Sequence, residues 1–205
     1  MDGKINIRIL KLEEIKSALE KMGEQLFRGE QIFEWLWKKN AQSFEEMTNL
    51  SKSLRDKLNM SYFIDNIELK DQQISLDKTI KCAFKINGGE IIEGVLIPTK
   101  SRTTACISSQ AGCSLACKFC ATGRLKLIRN LSPGEIFDQV VYLKNEAEKI
   151  YNKTLNNIVY MGMGEPLLNY KNMLRSIELI CSKDGLGMSP KRITVSTAGI
   201  AKMIK

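Results

Sequence analysis

Four cysteines fall within a short stretch of this chain, and three of them lie within eight residues. The stretch is Cys106-Ile-Ser-Ser-Gln-Ala-Gly-Cys113-Ser-Leu-Ala-Cys117-Lys-Phe-Cys120. Cysteine thiolates at such short spacings hold iron–sulfur clusters, and three of them leave one iron of a four-iron cluster open. A small chelate, such as the amino and carboxylate groups of S-adenosylmethionine, can occupy that iron. The spacing therefore predicts that Cys113, Cys117 and Cys120 bind a redox-active 4Fe–4S cluster.

Other uses of these cysteines are less favoured. A structural zinc ion could take Cys106 as its fourth ligand, but zinc sites usually pair two ligand knuckles and this run has no second pair. A disulfide is disfavoured because cytosolic thiols stay reduced. Core packing explains one or two cysteines, whereas three within eight residues would be unusual. Cys82 and Cys181, which lie outside the run, are predicted to be small core residues.

The residues between the cysteines suit a loop that folds tightly around a cluster. Gly112 and Gly123 allow the backbone to turn sharply. Phe119 is expected to shield the cluster from water, and such shielding affects the redox potential of a metal centre.

Composition and charge narrow the classes of protein. No apolar run approaches the roughly 20 residues of a membrane span, and the N-terminus lacks the apolar core of a signal peptide. We therefore expect a cytoplasmic monomer without membrane contact. The net charge of +8 is compatible with a nucleic-acid partner. The absence of histidine excludes Ser-His and Cys-His triads, His-ligated zinc and haem, and histidine bases.

The first 60 residues are predicted to form a small helical accessory domain. Apolar residues recur at helical spacing from Lys11 to about Met60, with Gly23 and Gly29 between helices. The sequence Ser43-Phe-Glu-Glu46 resembles an N-terminal capping box. After these helices the apolar residues recur at every second position, as in β-strands. Residues 61–99 are therefore predicted to form a β-hairpin extension that turns at Asn87-Gly88-Gly89.

Residues 100–205 alternate between strands and helices. The predicted order is strand Thr103–Ser108, helix Pro133 to about Ile150 with Ser132 as its cap, strand Leu155–Met161, helix Lys171–Cys181 and strand Arg192–Ser196. Such alternation indicates a parallel sheet and an α/β fold. Because three parallel strands make an incomplete architecture, we expect the sequence to be a fragment of a longer enzyme.

A second motif, Met161-Gly162-Met163-Gly164-Glu165-Pro166, follows the second of these strands. Ligands of such sheets bind beyond the carboxyl ends of the strands. Gly164 is expected to let the backbone approach S-adenosylmethionine, and Glu165 to hold its cationic amino group. Ser196, at the end of the third strand, is a candidate to bind the carboxylate or the ribose of S-adenosylmethionine. The motif taken alone could be a simple turn, and a strand-end serine is often a helix cap.

Together these motifs resemble the RlmN family of radical S-adenosylmethionine (SAM) enzymes. The resemblance is carried by Cys106–Gly123, Arg129–Ser132 (RNLS), Met161–Tyr170 (MGMGEPLLNY) and Arg192–Gly199 (RITVSTAG). That family methylates C2 of adenine in large-subunit (23S) ribosomal RNA and in transfer RNAs. The resemblance implies the cluster, SAM, a partial radical SAM (β/α) barrel, and an electron donor such as flavodoxin or ferredoxin. Sister enzymes of the Cfr type methylate adenine C8, but Pro166–Tyr170 favours the RlmN type.

The resemblance also implies roles for Cys106 and Glu93. The family forms a methyl-cysteine intermediate, and Cys106 would resolve it by forming a disulfide with the methyl-carrying cysteine, which is expected beyond Lys205. Glu93 matches the family's proton acceptor. From the residues alone, Glu93 shares a strand face with apolar neighbours, where an unpaired carboxylate is costly and could serve as a general base. An exposed edge-strand glutamate is the other interpretation.

Two further functions stay open at this point. One is a non-catalytic iron–sulfur or RNA-binding protein left by truncation, and the other is a different radical enzyme with the same loop. The position of Cys106 argues against the second, because other radical enzymes need no resolving cysteine there. The chain by itself is not expected to complete turnover, and the sequence does not separate a preference for ribosomal RNA from one for transfer RNA.

Overall fold

A computed structural model of the chain describes residues 3–204. The chain divides into two compact units. The first runs up to Asn66 and includes Leu179–Gly187, while the second comprises Ile67–Glu178 and the residues from Met188 onward. None of the helices among the described residues is long and apolar enough to cross a membrane.

The first unit contains the helices that the sequence predicts. They are α1 (Leu12–Lys21), α2 (Arg28–Trp37) and α3 (Lys52–Ser61). Their apolar positions are buried and form the core of the unit: Ile15, Leu19, Ile32, Leu36, Leu54 and Leu58. Two short parallel strands, β1 (Ile5–Asn6) and β2 (Tyr62–Phe63), join the start of the unit to the end of α3.

The predicted capping box at Ser43–Glu46 is wrong, because no helix begins there. Glu46 instead accepts a hydrogen bond at its Oε1 from the backbone N–H of Gln42, at 3.1 Å. The cap in this region belongs to α3, where Ser51 Oγ accepts from the N–H of Leu54 at 3.2 Å. Glu46 thus closes a turn with Gln42 instead of capping a helix.

The second unit is built on a six-stranded sheet whose order is β10-β9-β6-β5-β4-β3. Strands β6, β9 and β10 are parallel, as the alternation of strands and helices predicts, whereas β3 to β6 are antiparallel neighbours. The hairpin region therefore continues directly into the parallel strands, and the α/β fold class is confirmed. The bounds are β3 (Glu68–Ile74), β4 (Ile80–Lys85), β5 (Ile91–Pro98), β6 (Thr103–Cys106), β9 (Asn157–Tyr160) and β10 (Ile193–Val195).

Helix α4 (Pro133–Tyr151) covers one face of this sheet by packing on β5 and β6. It begins with the predicted cap, Ser132, which forms a capping box with Glu135. Ser132 Oγ accepts from the N–H of Glu135 at 3.2 Å, and Glu135 Oε2 accepts from the N–H of Ser132 at 2.8 Å. The helix buries its apolar side, including Ile136, Phe137, Val140 and Leu143, against the sheet. The remaining elements are β7 (Gln110–Ala111), β8 (Arg129–Asn130), α5 (Tyr170–Cys181) and α6 (Ala201–Ile204).

Candidate active site

The three-cysteine loop follows the carboxyl end of β6 and lies between β7 and β8, which pair with each other in a separate two-stranded sheet. Cys113, Cys117 and Cys120 are free thiols, each partly exposed. The loop is closed by its own backbone: Cys120 N–H donates to Cys117 O at 3.1 Å, and Gly123 N–H donates to Cys120 O at 3.1 Å. The backbone thus holds three candidate ligands in one compact segment.

Two glycines are needed for this loop to close. Gly112 has a φ of +78°, and a Cβ at its position would lie 2.0 Å from the carbonyl oxygen of Lys126. A Cβ at Gly123 would lie 2.7 Å from the carbonyl oxygen of Cys117. Any larger residue would open the loop, so both glycines do what the sequence predicts.

The donor set suits an iron–sulfur cluster. Three thiols without a carboxylate or imidazole are soft ligands, which favour iron–sulfur clusters, zinc or copper(I) over magnesium or calcium. Within residues 3–204, no three Cys, Asp or Glu side chains are grouped so that they could hold a single metal ion. The side chain of Phe119 is 94% exposed, and its shielding of a bound cluster stays a prediction.

Arg129 fixes the far end of the loop. Its guanidinium forms two parallel bonds with the fully buried carboxylate of Glu135, at 2.9 and 2.6 Å. Such bidentate pairs are geometrically specific. Because Glu135 also caps α4, this ion pair holds the end of the loop next to the N-terminus of the helix.

The glycines of the second motif lie in close contact with another segment of the chain. A Cβ at Gly162 would lie 2.7 Å from Ile107 O, and a Cβ at Gly164 would lie 2.4 Å from Gln110 Cβ. Gly164 also has a φ of +94°, which favours glycine. The sequence suggested that these glycines make room for a ligand. In the structure they make room for residues 107–110, the segment from which the cysteine loop starts.

Glu165 ties the ends of two parallel strands together. Its side chain is buried, Oε1 accepts from the N–H of Leu167 at 3.0 Å, and Oε2 accepts from the N–H of Ala198 at 2.8 Å. Both oxygens therefore already accept a backbone hydrogen bond. A carboxylate has about four acceptor positions, which leaves room for a cationic amino group.

We expect Glu165→Gln to lower the free energy of unfolding by about 1–3 kcal/mol, because the amide keeps one acceptor oxygen and turns an NH₂ group towards a backbone N–H. Urea denaturation measures this difference. The matched control is Glu178→Gln, which removes only an exposed ion pair with Arg175 and should change stability by less than about 1 kcal/mol. Equal stability of the two variants would contradict the claim that the buried hydrogen bonds of Glu165 stabilise the fold.

Sequence reasoning missed the buried polar residues that join the two motifs. Ser108 Oγ donates to the carbonyl oxygen of Glu93 at 2.6 Å and accepts from the N–H of Met163 at 2.8 Å. Gln110 Oε1 accepts from the N–H of Glu165 at 2.8 Å. Since buried polar groups require partners, a Ser-Ser-Gln run directly after a buried strand was a usable signal for such a junction.

Asn169 completes this junction from the other side. Its Nδ2 donates to the carbonyl oxygens of Ser109 and Leu131, at 2.8 and 2.9 Å. The residue is buried, although the sequence places it in an apparently ordinary turn before α5. The cysteine loop, the glycine motif and the start of α4 are therefore held by one continuous set of hydrogen bonds.

Glu93 shares its strand face with Ile91, Val95 and Ile97, as the alternation predicts, but this face is partly exposed and does not enclose the carboxylate. The face of β5 that packs on α4 carries Ile92 and Leu96, so Glu93 lies on the opposite face. Its side chain is half-exposed, and Oε1 lies 2.7 Å from Lys81 Nζ on β4. Side chains alternate along a strand, so the choice of face decides the environment of every residue on it.

Cys106 lies on the same face of the sheet as Glu93, since β5 and β6 pair with Val95 opposite Cys106. Burial raises the pKa of the Cys106 thiol, and a contact with the backbone N–H of Met161 only partly opposes this. Ser196, directly after β10, is exposed, and its N–H donates to Tyr160 O at 3.4 Å. The structure thus places Cys106, the glycine motif and Ser196 at the carboxyl ends of three adjacent strands.

The raised pKa of Cys106 predicts slow alkylation. Because the thiolate is the nucleophile, less of Cys106 is reactive at a given pH than of an exposed thiol. In the cluster-free chain, its rate of reaction with iodoacetamide should still rise with pH where an unstructured cysteine peptide has levelled off. Peptide mass spectrometry follows each cysteine separately, and a plateau at the same pH would contradict this environment.

Comparisons with known proteins agree with this geometry. Residues 5–64 match the family model "Ribosomal RNA large subunit methyltransferase N-terminal domain", and residues 107–204 match the model "Radical SAM superfamily". The "Probable dual-specificity RNA methyltransferase RlmN" of Flavobacterium psychrophilum is 53% identical over 98% of this chain and 58% of its own length. The protein of the same description from Cytophaga hutchinsonii is 56% identical over 97% of this chain and 54% of its own length.

A solved structure gives the same result for the fold. The radical SAM methyltransferase from Sphaerobacter thermophilus superposes with a TM-score of 0.85 at 37% identity, covering 98% of this chain and 59% of that one. The chain therefore spans 54–59% of the length of these relatives.

Proposed function

This chain belongs to the RlmN family of radical SAM methyltransferases, and on that premise we propose that the complete protein methylates C2 of adenine in 23S ribosomal RNA and in transfer RNAs. The observation that carries the proposal is the hydrogen-bonded junction of the three-cysteine loop with the Gly164-Glu165 loop. It lies in a chain that also matches the family's N-terminal domain. Membership of the radical SAM superfamily implies a 4Fe–4S cluster and S-adenosylmethionine.

Three residues would hold the cluster and three others the cosubstrate. Cys113, Cys117 and Cys120 supply the thiolates, and the cluster, when bound, supplies the electron that activates S-adenosylmethionine. Glu165 would accept a hydrogen bond from the cosubstrate's amino group while its existing backbone bonds keep the carboxylate oriented. Gly164 sets the path of that loop, and the exposed hydroxyl of Ser196 is available to the carboxylate or ribose.

Glu93 and Cys106 would act on the RNA side of the reaction. The half-exposed carboxylate of Glu93 would accept the proton that leaves the adenine carbon, and Lys81 holds it on the open face of the sheet. Cys106 would resolve the RNA–enzyme intermediate by forming a disulfide with a methyl-carrying cysteine. Because burial raises the pKa of its thiol, Cys106 keeps its proton at neutral pH until a base removes it.

Mass spectrometry of nucleosides tests this function. Ribosomal and transfer RNA from cells that lack their own enzyme would be digested after expression of the complete protein, and 2-methyladenosine is the expected product. Cys117→Ala, which removes a cluster ligand, is the matched inactive control. Finding 8-methyladenosine instead would indicate the Cfr-type reaction, and finding no methylated adenosine would contradict the proposal.

A further inference from the structure

We propose that Arg124–Ile128, the segment that follows the cysteine loop, is the docking surface for an acidic electron-transfer protein. This inference rests on the proposed function, because it requires a cluster that must be reduced. In that step one electron leaves the reduced donor, which is oxidised by one electron, and enters the cluster, which is reduced by one.

The segment lies directly against the backbone of a cluster ligand. Cys113 N–H donates to Leu125 O at 3.4 Å, and Ile128 N–H donates to Ala111 O at 2.9 Å. Between these two bonds, the close approach of Gly112 to the carbonyl of Lys126 leaves no space for a side chain. A protein that covers the outer side of this segment is therefore separated from the cluster loop by one layer of backbone.

The outer side of the segment is apolar at its centre. Leu125, Leu127 and Ile128 are 52%, 39% and 63% exposed, which is unusual for three aliphatic residues within four positions. Contiguous exposed apolar side chains of this kind mark interaction surfaces when charged residues surround them.

The two charged residues within this segment are both positive. Arg124 and Lys126 are exposed, and neither forms an ion pair with another residue in the range 3–204. The sequence has no Asp or Glu between Glu93 and Glu135, so no acidic residue of that stretch offsets them. A surface of one sign attracts a partner of the opposite sign over about 10 Å at ordinary salt.

The aliphatic side chains favour a protein partner over RNA. Proteins contact nucleic acids mainly through polar and charged groups at phosphates and through aromatic stacking on bases. Protein interfaces instead combine an apolar centre with a charged rim. The alternation of leucines with Arg124 and Lys126 has the second composition, and its charge selects an acidic partner.

Stopped-flow reduction of the complete, cluster-loaded protein tests the surface, with reduced flavodoxin as the donor. We expect the double variant Arg124→Glu with Lys126→Glu to slow reduction by flavodoxin roughly tenfold or more at low salt. Reduction by dithionite, a small molecule that needs no docking, should stay unchanged. Lys100→Glu is the matched control, because Lys100 is exposed at the opposite end of the sheet, between β5 and β6.

A second variant tests the apolar centre without changing charge. Ile128→Ser should weaken flavodoxin binding, measured by calorimetry, while dithionite reduction is kept. Unchanged flavodoxin kinetics in the charge-reversal variant would overturn the proposal, as would a loss of RNA affinity in its place. A protein that binds no cluster in any variant would instead overturn the proposed function, and the docking surface with it.

Discussion

Replacing Cys117 with alanine is expected to abolish cluster binding, reducing bound iron from about four atoms per chain to nearly none. Two thiolates from one loop leave two irons without protein ligands, and the loop offers no carboxylate or imidazole as a substitute. RNA methylation should fall by at least about three orders of magnitude, because the radical chemistry depends on the cluster. Iron analysis and visible absorbance after anaerobic reconstitution measure the first effect, and nucleoside mass spectrometry measures the second.

Cys181→Ala is the matched control for this variant. Cys181 is also a partly exposed free thiol, but it lies at the end of α5, away from the cysteine loop in sequence. Its replacement should leave the iron content unchanged. Retention of a full cluster by Cys117→Ala, or an equal loss in Cys181→Ala, would show that the three-cysteine loop is not the cluster site.

Gly164→Ala is expected to have the largest effect on stability, lowering the free energy of unfolding by about 3–5 kcal/mol. The new Cβ would lie 2.4 Å from Gln110 Cβ and 2.9 Å from Gln110 N, so the backbone of the junction must move. The φ of +94° adds the strain of a conformation that alanine rarely adopts. Urea denaturation measures the loss, and binding of S-adenosylmethionine should weaken with it.

Gly89→Ala separates the effect of the close contact with Gln110 from the effect of backbone strain. Gly89 has almost the same φ, +95°, but no atom lies within 4 Å of the position that its Cβ would take. Its replacement should therefore cost only the backbone strain, about 1–2 kcal/mol. If both variants lose the same stability, the close approach between the Gly164 loop and Gln110 is not what constrains this glycine.

The sequence predicts the elements of the fold well where local signals agree. The helical spacing of the first 60 residues, the Asn87–Gly89 turn and the Ser132 cap of α4 all occur as expected. The parallel arrangement of β6, β9 and β10 also follows, because strands that alternate with helices rarely pair otherwise. Each of these features is set by residues close together in the chain.

Features that depend on distant contacts were harder to predict. The face of β5 that α4 covers decides whether Glu93 is buried, and the alternation of apolar residues on both faces did not settle it. The glycine motif gave no sign that its close contacts are with Ile107 and Gln110, more than 50 positions away. Ser108 and Asn169 were missed for the same reason, since a buried polar side chain is explained only by its partners.

Electron paramagnetic resonance of the reduced, anaerobically reconstituted protein tests the central claim most directly. If Cys113, Cys117 and Cys120 hold a cluster with one open iron beside the Gly164-Glu165 loop, S-adenosylmethionine should bind that iron and change the spectrum. We predict a 4Fe–4S signal whose g values shift on addition of S-adenosylmethionine. A cluster signal that S-adenosylmethionine leaves unchanged, or the absence of any cluster signal, would contradict the account.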